Sequence, residues 1–423
     1  MEWNEKLFKQ HLKEFGKFVT PLVATLGRSE RRCSATRYIE GLLLPGERKS
    51  MEPMAERLQV DVQSLQQMIT DSPWEERLVW SAIQREVVPS LEPLEAWIVD
   101  ETGWVKQGKE SVGVSHQYCG AVGKQANCQV SVELGVSNGW VVAPIGGRLY
   151  LAQSWTQDLE RCTQAGVPAE IQFATRTQLA VELIKEAVGN GVARAPVLAD
   201  AMYGDSAEFR AALRPLQLEY FLQVTPSEHK GWPEPVKTEV KRTRHHVEEG
   251  TPPAATLAQL AAQFPKRAWK KCAWTSAAGN PRRTRLAWCE VYLQVDLQYG
   301  PMKKHWLVVD WPEGDPEPYQ HYLAYLNQPP TRARCLRLSR SRWQIEQLIQ
   351  RGKGDLGLDH FEGRSWRGFH HHLVLCAVAY LFVLTVYLRS KKNFWCDVGT
   401  DSKTDPAIDR EVERLVPLLS EQI

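Results

Sequence analysis

The sequence predicts an α/β protein: a mixed sheet covered by helices, preceded by a helical N-terminal region and interrupted by a β-rich insertion. Three observations carry this. Residues 1 to about 90 repeat apolar side chains at helical spacing. From Leu94 onward, short runs rich in Val and Tyr are punctuated by glycine, as in strands joined by turns. Beyond them apolar runs alternate with helical stretches, which places helices over a sheet.

The N-terminal stretch "WNEKLFKQHLKEFGKFVTPLVATL" puts Trp3, Leu7, Phe8, Leu12, Phe15 and Phe18 near one helical face. "PMAERLQVDVQSLQQMITD" then reads as two short helices with a turn near Val60–Asp61, where Asp61 or Ser64 caps the second. That pair is compatible with a helix-turn-helix entering a DNA groove, and equally with an ordinary helical hairpin. "EAWIVD", "SHQYCGAVG", "CQVSVELGVS" and "WVVAPIGGRLYL" follow as strands, the later ones an antiparallel meander. A helix is predicted over about Thr177–Val188, then the run "APVLAD", a helix over about Ser206–Leu213, and the strand "EYFLQV". Residues 226–302 break the rhythm, first polar and proline-rich, then basic, aromatic and strand-like, and are read as the insertion. "HWLVVDWP" and "YQHYLAYLNQPP" resume the sheet; a basic helix and an apolar helix after His372 close it. The expected division is 1–90 helical, 91–225 and 303–391 the two parts of the main domain, 226–302 the insertion, and 392–423 a charged tail.

A chain of 423 residues suggests two or three units, and a hydrophobic fraction of 43% supplies a core. Lys plus Arg total 52 against 50 for Asp plus Glu, so only the distribution of charge is informative. The nine cysteines form no C-x-x-C pair, and their odd number argues against a disulfide framework; a reducing cytoplasm is expected. The N-terminus lacks the apolar core of a signal peptide. The apolar run Leu373–Leu388 falls short of the about 20 residues of a bilayer crossing, so a buried helix is expected and no membrane partner. His245-His246 and His370–His372 lack a matching partner spacing for a metal and are expected to be exposed or packed.

Three acids stand out. Asp100 closes "WIVD" before "ETG", and Asp200 closes "VLAD" before "AMYGD". Each is read as delivered to the C-terminal end of a buried strand, where open sheets form their binding crevices. An aspartate there is equally a turn former or helix cap. Two carboxylates brought close repel unless a cation intervenes. A hard divalent ion such as Mg2+ takes a few carboxylates and completes its shell with water or phosphate. The third acid, Glu346, is isolated in "RARCLRLSRSRWQIEQLIQRGK", among Arg332, Arg334, Arg337, Arg340, Arg342, Arg351 and Lys353. On a helix Arg342 and Glu346 are one turn apart, and Lys353 lies two turns beyond, where Gly352-Lys353-Gly354 is expected to end the helix. Arginines suit DNA phosphates, and the carboxylate suits a metal at the phosphate attacked; a plain surface Arg–Glu pair is the alternative. The acid-free segment Phe264–Arg285 adds further cations interleaved with Trp269 and Trp274, suited to distorted DNA or, equally, to a solvated hairpin with core tryptophans.

The order Asp100, Asp200, Glu346, with Arg342-x3-Glu346-x6-Lys353, resembles the DDE transposases of bacterial insertion sequences, in the branch with a Tyr-Arg-Glu-Lys signature and a β-rich insertion. "GLLLPGERKSMEPMAE", "RLYLAQSWTQD", "VLADAMYGD" and "GLDHFEGRSWRGFHHHLVL" read like stretches of such a protein. One departure is plain: Ser339 stands where the signature has tyrosine.

The resemblance implies an RNase H-like catalytic domain behind a helical N-terminal DNA-binding domain. It implies that Asp100, Asp200 and Glu346 hold two Mg2+ ions (Mn2+ as a substitute), about 3.5–4 Å apart in such sites. Arg342 and Lys353 would grip DNA phosphates. The partners implied are double-stranded DNA, at transposon ends and target, and a second copy of the chain in a synaptic complex in the bacterial cytoplasm, at the nucleoid. A silent DNA-binding regulator with the same fold, and an RNase H-like nuclease that cuts without joining, are the competing functions.

Overall fold

A computed structural model describes residues 5–241, 244–275 and 280–397. Trp3 and most of the expected tail lie outside the described residues. The chain opens on α1 (Glu5–Gln10), α2 (Leu12–Val23), α3 (Ser29–Leu43), α4 (Met51–Leu58), α5 (Val62–Thr70) and α6 (Glu76–Glu86). α4 and α5 are the predicted helical pair: Gln59 turns the chain at φ 55, and Asp61 caps α5 by accepting the Gln63 N–H at 3.1 Å. β1 (Ala96–Val105), β2 (Ser115–Cys119), β3 (Lys124–Ser137) and β4 (Val142–Leu149) follow, then α7 (Gln153–Thr156), α8 (Leu159–Gln164) and α9 (Arg176–Gly189). Next come β5 (Val197–Ala199), α10 (Ala201–Gly204), α11 (Ala207–Leu213) and β6 (Tyr220–Gln223). The stretch read as an insertion holds β7 (Lys230–Trp232), β8 (Thr238–Lys241), β9 (Arg244–Val247), β10 (Ala255–Thr256), α12 (Leu257–Ala262), β11 (Lys270–Thr275) and β12 (Pro281–Leu293). β13 (Lys304–Pro312), β14 (Gln320–Tyr325), α13 (Arg332–Ser341), α14 (Trp343–Leu356) and α15 (Trp366–Asp397) complete the described chain. The architecture is the mixed α/β class that the sequence predicts.

The chain forms two compact units. Of the described residues, one unit gathers 5–93, Asp100–Ala193 and 344–397; the other gathers Leu94–Val99 and those of Arg194–Trp343. In the first unit β3 pairs antiparallel with β2 and β4, the predicted meander, with a bulge at Leu134/Gly135. α15 is its central helix and packs against α2, α3, α5, α6 and β4. Phe15 meets Phe382 edge-on at 5.2 Å, so the N-terminal helices share this core. The length expected for that helix is corrected: it covers 32 residues, and Trp366–Ser390 is long and apolar enough to cross a membrane by length and composition. The apolar run continues backward through the histidines, which count as polar in sequence. Here they are buried and paired, His370 accepting the Leu149 N–H and His372 accepting the Tyr38 hydroxyl at 2.8 Å.

In the second unit the opening of β1 pairs in parallel with β5, and β5 with β6; β6, β14, β13 and β12 then continue antiparallel. β12 is registered to β13 from Thr284↔Pro312 to Tyr292↔Lys304 and carries β11 and β7 on its other side. α12 covers this end, burying Leu257 and Leu260 against Val291, Leu307 and Leu323.

Candidate active site

Asp100 sits in the middle of β1, which corrects the expected strand end. "ETG" opens no turn, because Gly103 is needed in the strand itself: a Cβ there would lie 2.6 Å from the Cys119 sulfur. Asp100 is buried, and the Glu101 N–H donates to its Oδ1 at 2.8 Å. On β3 a second buried acid, Glu133, interacts with the charge of Asp100. Its register partner is Gly147, where a Cβ would come 2.6 Å from Glu133 Oε2, so the glycine makes room for the carboxyl. Burial pushes the Glu133 pKa up to about 8, against hydrogen bonding from Ser131 and the charge of Lys353.

Glu346 is exposed in the first turn of α14. Two residues earlier Gln344 fastens that helix to the β3–β4 turn, accepting from Ser137 Oγ at 2.6 Å and donating to the Gly139 carbonyl at 3.1 Å. The helix does not end at Gly352–Gly354, as expected, but runs through Lys353 to Leu356. Gly352 is buried against Leu358, and the left-handed stop is Gly357, at φ 65. Lys353 Nζ donates to the Gly103 carbonyl at 2.8 Å and lies 5.7 Å from the Trp104 ring; burial lowers its pKa. The basic helix is also not one helix: α13 stops at Ser341 and Arg342 joins it to α14. Ser339 turns its hydroxyl to the Leu336 carbonyl at 3.0 Å.

In the second unit Asp200 follows β5 and caps α10, its Oδ1 accepting the Met202 N–H at 3.0 Å. Burial raises its pKa, while the nearby charge of Arg342 lowers it. The arginines of α13 are less available than local sequence suggests. Arg334 pairs with Glu219 at 2.7 Å, Arg337 with Glu95 at 2.9 Å and Arg340 with Asp310 at 2.6 Å. Each acid is remote in sequence, which is why counting acids inside the helix misses it. On the β11–β12 hairpin Lys270, Lys271, Arg282 and Arg283 are exposed. The tryptophans between them are engaged by protein: Trp269 packs on the core beneath and meets Trp311 at 5.1 Å, and the Arg340 guanidinium covers Trp274 at 4.1 Å.

Asp100 and Glu346 thus belong to one unit and Asp200 to the other. Among the described residues no three His, Cys, Asp or Glu side chains lie close enough together to hold a metal ion. Sequence reasoning missed Glu133, although Gln129, Ser131 and Glu133 alternate along β3 on one face of an otherwise apolar run. It also passed over Asp205, inside the quoted "VLADAMYGD".

Residues 21–294 match the family model described as DDE superfamily endonuclease. The chain is similar to a protein of Microchaete diplosiphon described as "Probable transposase for insertion sequence element IS701", with 29% identity over 216 residues. That match covers 47% of this chain and 53% of the relative, so the chain spans about half of that protein's length.

Proposed function

We propose, on the premise that the chain belongs to the DDE superfamily endonucleases, that it is the transposase of an insertion sequence. It binds the terminal inverted repeats, cuts DNA there and joins the freed ends to a target. One observation carries the assignment of the site. β1 and β5 pair in parallel with Ile98 opposite Leu198, and each of these residues is followed two positions later by an aspartate, Asp100 and Asp200. This register supports assigning both to one metal site, with Glu346 of α14 as the third acid.

The donor set fits a hard divalent ion. Its donors are carboxylate oxygens, and the raised pKa of Asp200 is that of a half-buried acid whose charge the chain leaves partly uncompensated. Mg2+ is held by as few as one or two carboxylates, with water and substrate phosphate in its remaining positions, so no complete protein cage is required before DNA arrives. When bound, Mg2+ or Mn2+ supplies a more acidic nucleophile and charge stabilisation at the phosphate. The chain's own residues position. Arg342 offsets charge beside Asp200 and contacts phosphate; Lys353 leaves the Gly103 carbonyl to do the same. The exposed cations of the β11–β12 hairpin hold DNA backbone without reading sequence. Cutting hydrolyses a phosphodiester and leaves a 3′-OH; joining is attack of that hydroxyl on a target phosphodiester. Neither step forms a covalent bond to the protein.

Sequence recognition is assigned to α4–α5, where Gln63, Gln66 and Gln67 are exposed and suited to adenine edges. The functional form is a homodimer that joins two ends, working in the cytoplasm. The test is cleavage of a plasmid carrying the element with its flanking DNA, in Mg2+. Asp100→Asn, Asp200→Asn and Glu346→Gln should each abolish cutting while DNA binding survives. Full cutting by any of them removes that residue from the site, and a wild type that binds but never cuts is the silent regulator. Pre-cut ends that fail to join a target leave a nuclease without strand transfer.

A further inference from the structure

We propose that Asp205 and His229 are positioning residues for Asp200, fixing the turn that presents its carboxylate to the root of the insertion. The inference rests on the function proposed above and deepens it. α10 is a single turn, Ala201–Gly204, too short to hold itself by its own hydrogen bonds. Its place is therefore set from outside.

Three contacts do this. Gly204 lies so close to β6 that a Cβ would stand 1.8 Å from the Gln223 carbonyl oxygen, which only glycine permits. Arg210, fully buried, donates from Nη1 to the Gly204 carbonyl. Asp205, the residue after the turn, gathers donors from the chain that follows β6. Its Oδ1 accepts the Thr225 N–H and the His229 Nε2–H, each at 2.8 Å, and its Oδ2 accepts the Thr225 hydroxyl at 2.8 Å. His229 immediately precedes β7, and its carbonyl accepts the Leu257 N–H of α12 at 3.0 Å. A displacement of the insertion's root is thus passed to the Asp200 turn through one carboxylate. Burial alone would raise the Asp205 pKa; hydrogen bonds from His229 and Thr225 outweigh it and hold the carboxyl below its usual range, so the acceptor is charged and strong.

Two measurements on the full-length protein test this. In hydrogen–deuterium exchange without metal, Asp205→Asn and His229→Phe should speed exchange of the 202–205 amides at least ten-fold, leaving β3 and β4 unchanged. In a Mn2+ titration followed by electron paramagnetic resonance, both should raise the binding midpoint at least five-fold. His229→Gln, which keeps an N–H donor, should restore most of it. Unchanged exchange at the turn, equal acceleration throughout the chain, or a loosened turn with a midpoint within two-fold of wild type overturns the proposal. Asp200→Asn separates the two claims: if it leaves the Mn2+ midpoint unmoved, the assigned metal site is wrong, while the exchange result still judges the anchor.

Discussion

Glu133 and Asp205 are neighbours of the two assigned aspartates, one in each unit, and they have opposite protonation states. Glu133 is buried and Asp205 half-buried, and for both burial is the largest influence on the pKa. Glu133 is pushed up to about 8 and is protonated at neutral pH. Asp205 is held below the ordinary carboxylate range. The difference is the depth of burial together with the number of donors. Glu133 accepts from one hydroxyl, Ser131. Asp205 accepts from a backbone N–H, a hydroxyl and an imidazole. A buried carboxylate keeps its charge only where donors replace the lost water, so the same residue chemistry serves as a neutral filler in one unit and a charged anchor in the other.

The harshest way to break that contrast is Gly204→Ala. A methyl group cannot occupy space 1.8 Å from the Gln223 oxygen, and the obstacle is backbone rather than a flexible side chain. The turn must leave β6 and take Asp205 from Thr225. A stability loss of more than about 4 kcal/mol belongs to this class of overpacking against fixed backbone. Cutting should fall at least a hundred-fold in protein folded at low temperature. Near-wild-type melting with full cutting would show that the turn tolerates the shift.

Glu133→Gln is a milder test and acts in the other direction. The folded-state pKa of Glu133, about 8, is above its unfolded value of 4.5, so its stability contribution is complete below pH 4.5 and is lost as pH rises toward 8. By pH 7 the loss amounts to about 3 kcal/mol. Gln keeps the acceptor for Ser131 and does not titrate, so the variant should gain about that much on wild type between pH 4.5 and 7 in urea unfolding. Asp205→Asn should show the reverse: its deficit is full above the unfolded carboxylate pKa and closes as pH falls through the folded one. Parallel pH profiles for the two variants would mean that donor number does not decide.

The sequence shows the assigned aspartates more clearly than what holds them. Asp100 and Asp200 end apolar runs, and that pattern survives in β1 and β5 although only Asp200 stands at a strand end. β1 continues through Gly103, which leaves space for the Cys119 sulfur, and those two residues meet only after folding. The extension of α14 past Gly352 and Gly354 has a similar origin: Leu358 folds back on Gly352, and the stop moves to Gly357. The α13 arginines looked like a free cationic surface because Glu95, Glu219 and Asp310 lie far off in the chain. Local spacing reports helix faces and caps, as at Asp61, whose side chain does accept an N–H of the helix it was expected to cap. It does not report which distant carboxylate meets which arginine.

The smallest expected effect is that of Tyr38→Phe, which extends the contrast to a buried base. The Tyr38 hydroxyl donates to His372 Nδ1 at 2.8 Å, and His372 Nε2–H is shared between the Gly357 and Leu358 carbonyls at 3.1 Å. The ring is satisfied as a neutral imidazole, and burial pushes its pKa down to about 4. A histidine depressed in this way leaves stability intact above the unfolded value of 6.5 and withdraws it as pH falls toward 4. Phenylalanine removes one donor and leaves Nδ1 buried without it, a cost of about 1–2 kcal/mol at pH 7.5. The acid branch should persist in the variant, since burial rather than the hydroxyl causes the shift. If instead the decline between pH 6.5 and 4 shrank by half or more, the hydroxyl would be setting the protonation state of His372, and donor number would govern this group as it does the two acids.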